Sequence, residues 1–421
     1  MKWLLFLFSS IIAGVLNAAP FTDQTPGADI RTVLFYPADA QSAQVLDFPV
    51  LYLKGAKFLR MEFDELGNQY HNYNFRLIHC NRDWEQSILN DFEFVDGYNE
   101  FFIEQYELSL NTRTSYTHYT LDVPAVKVSG NYVLMVYRNQ NPNDAVIFRR
   151  FVVYDNPVAI ELDLKFPLDP AYRNTGQQAD FVVKYRDYPL FNPAQMLSVV
   201  LRQNGRWDNA ITSLQAMFIR DDEKTLDFHF YNNENLFPGL NEYRAIDLRS
   251  YRFNGQNIAG TRFDNQKVEA WVQPETPRKQ SAALTQWIDA NGYFVVENIE
   301  TRRGAVEADY VETHFSFEPG YEPDGDIYIF GMLSDWKLLP EFKLKKADGS
   351  KRYEASLKLK QGFYNYAYVL KKNGMKQDES IFEGSYCQTQ NVYDVLLYFR
   401  PVGARYDHVI GYASVDYNKL R

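Results

Sequence analysis

The sequence runs to 421 residues, more than one hydrophobic core organises, so about two to four domains are expected. Its 44 basic and 54 acidic residues give a formal charge of -10, which argues against nucleic acid, a ligand that attracts clustered Lys and Arg. Aromatic residues make up 16% of the chain, and this favours strands, where flat rings cover half-buried pleated surfaces.

The chain opens with Lys2 and an apolar run from Trp3 to Val15, broken only by Ser9 and Ser10, before the small residues Asn17, Ala18 and Ala19. That is the pattern of a cleavable secretory leader over residues 1–18, with the cut after Ala18 so that Pro20 does not follow it directly. The run is too short for a membrane anchor, which needs roughly 20 apolar residues. No Cys follows it, so no lipid anchor is expected. Later segments are neither long nor apolar enough for a spanning helix. Phe342 to Lys346 carries charge on the face a β-barrel would turn to lipid, and the sequence closes on Asn418 to Arg421 without an aromatic. An exported, soluble mature protein with no direct membrane insertion, monomeric when free, is the expectation.

Alternating runs then succeed one another with turn signals between them. Tyr73 to His79 places Tyr73, Phe75, Leu77 and His79 on one face of a strand. Tyr119 to Val123 alternates likewise and stops at Pro124. After Ser129-Gly130-Asn131, the uninterrupted run Tyr132 to Tyr137 is that of a strand covered on both faces. Arg149 to Tyr154 comes next and closes at Asn156-Pro157. In the middle third, Leu162 to Phe166, Phe181 to Tyr185 and Leu197 to Gln203 read as strands, with a hairpin signal at Asn204-Gly205. Leu226 to Tyr231, Tyr243 to Leu248 and Val268 to Val272 complete that unit. The polar, Pro-containing stretch Gln273 to Ser281 reads as a linker, and Ala283 to Trp287 as one short helix. Asp309 to Tyr328, with two Pro and two Gly, is expected to be rich in loops. Tyr353 to Leu359 and Phe363 to Leu370 are strands joined by a turn at Gln361-Gly362.

Ser129-Gly130, Pro238-Gly239 and Gln361-Gly362 each precede an aromatic-bearing strand, one per third of the chain. The pattern favours an all-β protein of three consecutive immunoglobulin-like or early-set β-sandwiches, at 19–156, 157–275 and 276–421, the last including the linker. The two cysteines, Cys80 and Cys387, are too far apart to staple one small domain and are expected as free buried thiols.

No catalytic constellation emerges, and no cofactor or metal site is expected. His79 and Cys80 are successive strand residues facing opposite ways, so with His71 they make no metal cluster. The acidic run Asp91, Glu93, Asp96 and Glu100 lacks the spacing of a calcium loop. Nucleophile elbow, phosphate loop and zinc-helix motifs are absent, which moves the weight from catalysis to binding.

One set of sequence words is more specific. Phe63 to Leu66, then Tyr73 to Trp84 with His79, Cys80, Asp83 and Trp84 at its end, then Ser129 to Tyr132, Arg150-Phe151, and Arg405 to Asp407 resemble the type IX secretion system plug family over nearly the whole mature chain. The resemblance implies a periplasmic, non-catalytic protein at the inner face of the outer membrane. Its partner would be the translocon β-barrel, whose mouth it would occlude while no substrate is exported. It carries over no contact residues. In the last third, Ile327 to Trp336 and Gly362 to Tyr368 resemble a glycogen-binding early-set sandwich, in which a Trp matching Trp336 stacks on sugar. The family's Lys falls at Ala367 here, and the loop Lys371 to Met375 has no second Trp. Trp336 is therefore a candidate for packing, for a partner contact, or for a vestigial sugar contact. A carbohydrate-binding array is the alternative function.

Overall fold

The computed structural model describes residues 19–186, 188–280 and 289–417. The expected leader at 1–18 and the expected helix at 283–287 lie outside the described residues. The fold is almost entirely β, arranged as three sandwiches.

The first sandwich uses one continuous stretch of chain. Its two sheets are Ile30–Ala38, Phe58–Leu66, Tyr116–Asp122 and Gln105–Leu108 in that order, and Val50–Tyr52, Ala145–Tyr154, Gly130–Arg138, Tyr73–Cys80 and Phe101–Phe102. Leu59, Met61 and Phe63 of the first sheet pack on Phe75, Leu77, Leu134 and Phe151 of the second. Alternation explains which residues meet there, since every second side chain points inward. The opposite face of the second sheet is buried as well. Ile78, Cys80, Val133, Met135 and Val152 point away from that core into a separate one, built with Val200, Leu396, Tyr398 and Val409. This is why Tyr132 to Tyr137 carries no polar alternation: both faces of the strand are covered.

The second sandwich is assembled from two distant stretches. One sheet holds Ala159–Lys165, Gly176–Lys184, Thr225–Phe228 and Phe218–Arg220, with Leu236–Pro238 on the same central strand. The other holds Leu197–Gln203, Val392–Phe399 and His408–Asp416. The third sandwich lies between these stretches in sequence. Arg244–Asp247, Gly362–Lys371 and Phe294–Val296 form one sheet, Asp326–Phe330 pairing the far half of Gly362–Lys371. The other runs Ile258–Phe263, Val268–Val272, Tyr310–Phe317, Tyr353–Lys360 and Lys345–Lys346.

The sequence-based boundary near 275 therefore does not describe the strand pairing. Residues 244–272 belong to the third sandwich, and 392–416 return to the second. Alternation records which face of a strand is buried, not which strand lies beside it. Pro238-Gly239 is accordingly no internal turn of the second unit but the crossing into the third, where Gly239 lies against the Tyr386 carbonyl. The stretch from Asp309 to Tyr328 also differs from expectation. Tyr310–Phe317 is a central strand, antiparallel to Tyr353–Lys360 and parallel to Val268–Val272, and the loop is confined to residues between Phe317 and Asp326. The Pro and Gly residues that signalled a loop all lie beyond Phe317.

Candidate functional site: the seams between the sandwiches

Where the sandwiches meet, buried charge and aromatic rings concentrate. The seam between the first and second is centred on Trp84, 6% exposed. Asp83, itself exposed, accepts a hydrogen bond from the Glu85 amide at 3.1 Å and so closes the tight turn at the end of the strand. Trp84 sits in that turn at φ 67°. Its indole meets Trp207 edge to face at 4.7 Å. The Arg150 guanidinium lies 5.1 Å from one ring and 5.3 Å from the other, and its nitrogens donate to Asp23. Arg202 stacks on Trp207 at 4.4 Å and pairs with Asp394, both fully buried. Tyr398 donates across the seam to Asn131 at 2.8 Å, and the Arg82 amide donates to Asp407 at 3.0 Å.

His79 and Cys80 support this turn. His79 is 1% exposed, with Nδ1 2.8 Å from the Ser87 hydroxyl and its ring edge-on to Tyr132 and Tyr406. Gly130 is required opposite it, because a Cβ there would come within 2.3 Å of Nε2. Burial drives the imidazole down to about 4, so it is neutral at physiological pH. Burial likewise pushes the Cys80 thiol up to about 12, which leaves it unreactive. Both cysteines are free and buried.

The seam between the first and third sandwiches is ionic. Asp64, 1% exposed, accepts from Lys360 Nζ at 2.6 Å and from the Tyr310 hydroxyl at 2.7 Å, both across the seam. His118 Nδ1 lies 2.8 Å from its other oxygen. Burial alone would raise this carboxyl, but Lys360 and the His118 hydrogen bond outweigh it and hold it below the usual carboxylate range. Lys360, also 1% exposed, donates to the Ala305 carbonyl at 2.8 Å and stands 4.1 Å from the Tyr116 ring centre. Nearby, Arg113 pairs with Asp309 at 3.3 Å.

Arg206 closes the third seam. Fully buried, it donates to both oxygens of Glu379 at 2.7 Å and to Asp208 at 3.0 and 2.6 Å. Its guanidinium lies 4.4 Å from the Trp336 ring. Tyr243, Tyr293 and Phe330 surround the same indole edge to face. Trp336 is thus half-buried in a junction, with Arg206 over its face. Gln177 adds hydrogen bonds to the carbonyls of Cys387 and Thr389, where the chain returns to the second sandwich.

The structure brings Asp83, Trp84, His79 and Cys80 together at one seam and places Trp336 at another. Sequence reasoning missed Arg206, Asp64 and Lys360 as seam residues. A signal existed in Lys360, a charge ending an alternating strand directly before the Gln361-Gly362 turn, but exposed strand ends carry such charges routinely.

Residues 30–155, the strands of the first sandwich, match the family model of the type 9 secretion system plug protein 1st domain. The whole chain is similar to a hypothetical protein from Parabacteroides merdae known from a crystal structure, with 31% identity, a TM-score of 0.88, 95% of this chain covered and 100% of that one. This chain belongs to the type IX secretion system plug family. No curated protein matches it.

As a plug-family protein it has a role connected with secretion, and its motif from His79 to Trp84 falls inside the matched domain. The seam that the motif builds sets two expected results. Trp84→Ala should cost about 3–5 kcal/mol of unfolding free energy, because a buried indole and its contacts with Trp207 and Arg150 are lost together; a loss below about 1 kcal/mol in chemical denaturation would contradict this. His79 sets a pH dependence. Its folded pKa lies below the unfolded value, so the folded state binds fewer protons, and stability is lost as pH falls from about 6.5 towards about 4. The expected loss is about 3 kcal/mol, read by urea unfolding at stepped pH, with a shallower slope in His79→Phe.

Proposed function

We propose that this plug-family protein is a non-catalytic periplasmic component that binds the type IX outer-membrane translocon barrel and occludes its periplasmic mouth when no substrate is in transit. The observation that carries the reading is the way the three sandwiches are joined. Each pair shares a buried seam, and the third is inserted into the second through two crossings of the chain. A body meant to close a wide pore must not flex open, and domains joined by one free linker would do so. Here each interdomain rotation would have to break buried ion pairs or an apolar core. The affinity for the barrel is moderate and reversible, since arriving substrates must displace the plug. The alternative, a glycan-capturing array, asks for an open Trp336, whereas Arg206 lies over the indole and three aromatic rings border it.

Affinity purification of the tagged mature protein from its native envelope, with mass spectrometry of the proteins recovered, tests the proposal. Recovery of a very large outer-membrane barrel, together with greater outer-membrane permeability in cells lacking this protein, is expected. Recovery of no envelope protein, with retention on a glycan column instead, would overturn it.

A further inference from the structure

A cleft of about 480 Å³ opens between the first and third sandwiches, beside the Asp64–Lys360 pair. Two strand edges face it. Along one wall run Ser356 to Lys360 of the strand Tyr353–Lys360. One edge of this strand pairs with Tyr310–Phe317 along its whole length. On the other, Lys345–Lys346 reaches only Glu354 and Tyr353, so among the described residues no strand pairs with the edge at 356–360. Opposite lies the start of Ile30–Ala38, a strand at the end of its sheet, where a register shift between Arg31 and Leu34 leaves Thr32 and Val33 out of the ladder.

The cleft is also cationic in a protein whose formal charge is -10. Arg31, Arg149, Lys337 and Lys358 line it against two carboxylates, Asp335 and Glu341, while Lys360 at its end is already paired with Asp64. Lys358 is exposed. Arg31, also exposed, donates to the carbonyls of Ala28 and Ile30 rather than to a carboxylate. Arg149 is 3% exposed; its Nη2 donates to Asp335, but its Nε is buried with no hydrogen-bond partner. A buried unmade hydrogen bond is costly and here marks the side chain as an incomplete donor set at the cleft wall. Apolar groups from Leu357, Leu359 and Phe342 complete the lining.

We infer that this cleft receives an extended, acidic polypeptide segment of a partner, which adds as a strand to the free edge at Ser356 to Leu359, short of the Lys360 carbonyl that Tyr364 occupies, and sets its carboxylates against Arg31, Arg149 and Lys358. Strand addition satisfies the open backbone groups, and alternate side chains of the added strand fall on the apolar floor and on the cationic rim. The inference goes beyond pore occlusion and stands apart from it, since any partner with such a segment fits.

The test uses the full mature chain and fluorescent hexapeptides. One alternates Val and Glu, one alternates Val and Lys, and a third is the acidic peptide with alternate backbone nitrogens methylated. Anisotropy titration should show the acidic peptide binding and the basic one not. Methylation, which removes the N–H donors, should weaken binding by at least about tenfold. Lys358→Glu should weaken the acidic peptide by at least about tenfold and admit the basic one, so that mere unfolding is distinguished, while Lys351→Glu, outside the cleft, should leave affinity unchanged. Equal binding of the acidic and basic peptides, no binding at millimolar peptide, or indifference to methylation would overturn the inference. So would binding to phosphatidylglycerol vesicles in place of the peptides, which would point to a lipid headgroup. Recovery of the barrel from the envelope in spite of failed peptide binding would refute the cleft alone and leave the pore-closing role standing.

Discussion

Replacing Lys360 with alanine should destabilise the protein by about 3–5 kcal/mol, although the lysine is a single surface-type residue at the end of a strand. The substitution leaves Asp64 buried with one cationic partner gone, and the Tyr310 and His118 hydrogen bonds cannot offset an isolated charge in that setting. The double variant Asp64→Leu with Lys360→Met should recover part of the loss, because removing both charges removes the desolvation cost with the attraction, while the Tyr310 hydroxyl and His118 lose their hydrogen bonds to Asp64. Urea unfolding monitored by tryptophan fluorescence provides the comparison. Lys360→Ala should also broaden the transition, since the first and third sandwiches lose the fully buried pair of their seam and keep the Arg113–Asp309 and Arg149–Asp335 pairs. A loss below about 1 kcal/mol in the single variant would mean that the pair is solvated and does not bind the sandwiches together.

Arg206→Ala is expected to cost a similar amount, about 3–5 kcal/mol, by leaving Asp208 and Glu379 facing one another without a cation and Trp336 without the group that covers its face. Arg206→Lys should recover only part of this. The guanidinium reaches both carboxylates through two nitrogens each while stacking flat on the indole, and an ammonium offers neither the fork nor the plane. Near-ultraviolet circular dichroism gives a second readout, since the Trp336 environment should change in Arg206→Ala. Full stability of that variant would show that the junction is held by its aromatic rings alone.

Part of this architecture is legible in the chain. The uninterrupted run Tyr132 to Tyr137 announces a strand buried on both faces, and the structure supplies the two cores that bury it. The family resemblance rests on the words around His79 to Trp84, and the matched domain contains them. The seam residues are less legible. Asp64, Lys360 and Arg206 are the kinds of residue that ordinarily lie on a surface, and nothing local separates a buried ion pair from two solvated charges. Trp336 reads in sequence as a packing residue, a partner contact or a vestigial sugar contact, and what covers it is not legible locally, because the arginine over its face is 130 residues away in the chain.

Taken by itself, the sequence determined that this protein is built of strands, which faces of those strands are buried, and which family it resembles. These properties arise from side-chain periodicity and from local residue patterns, and both are written along the chain. Only the tertiary structure decided that 392–416 closes the second sandwich, that 244–272 belongs to the third, and that buried ions hold the seams. The physical reason is that strands pair through backbone groups that are the same in every residue but proline. The side chains state which way a strand faces, while its neighbour is selected by the whole chain folding at once.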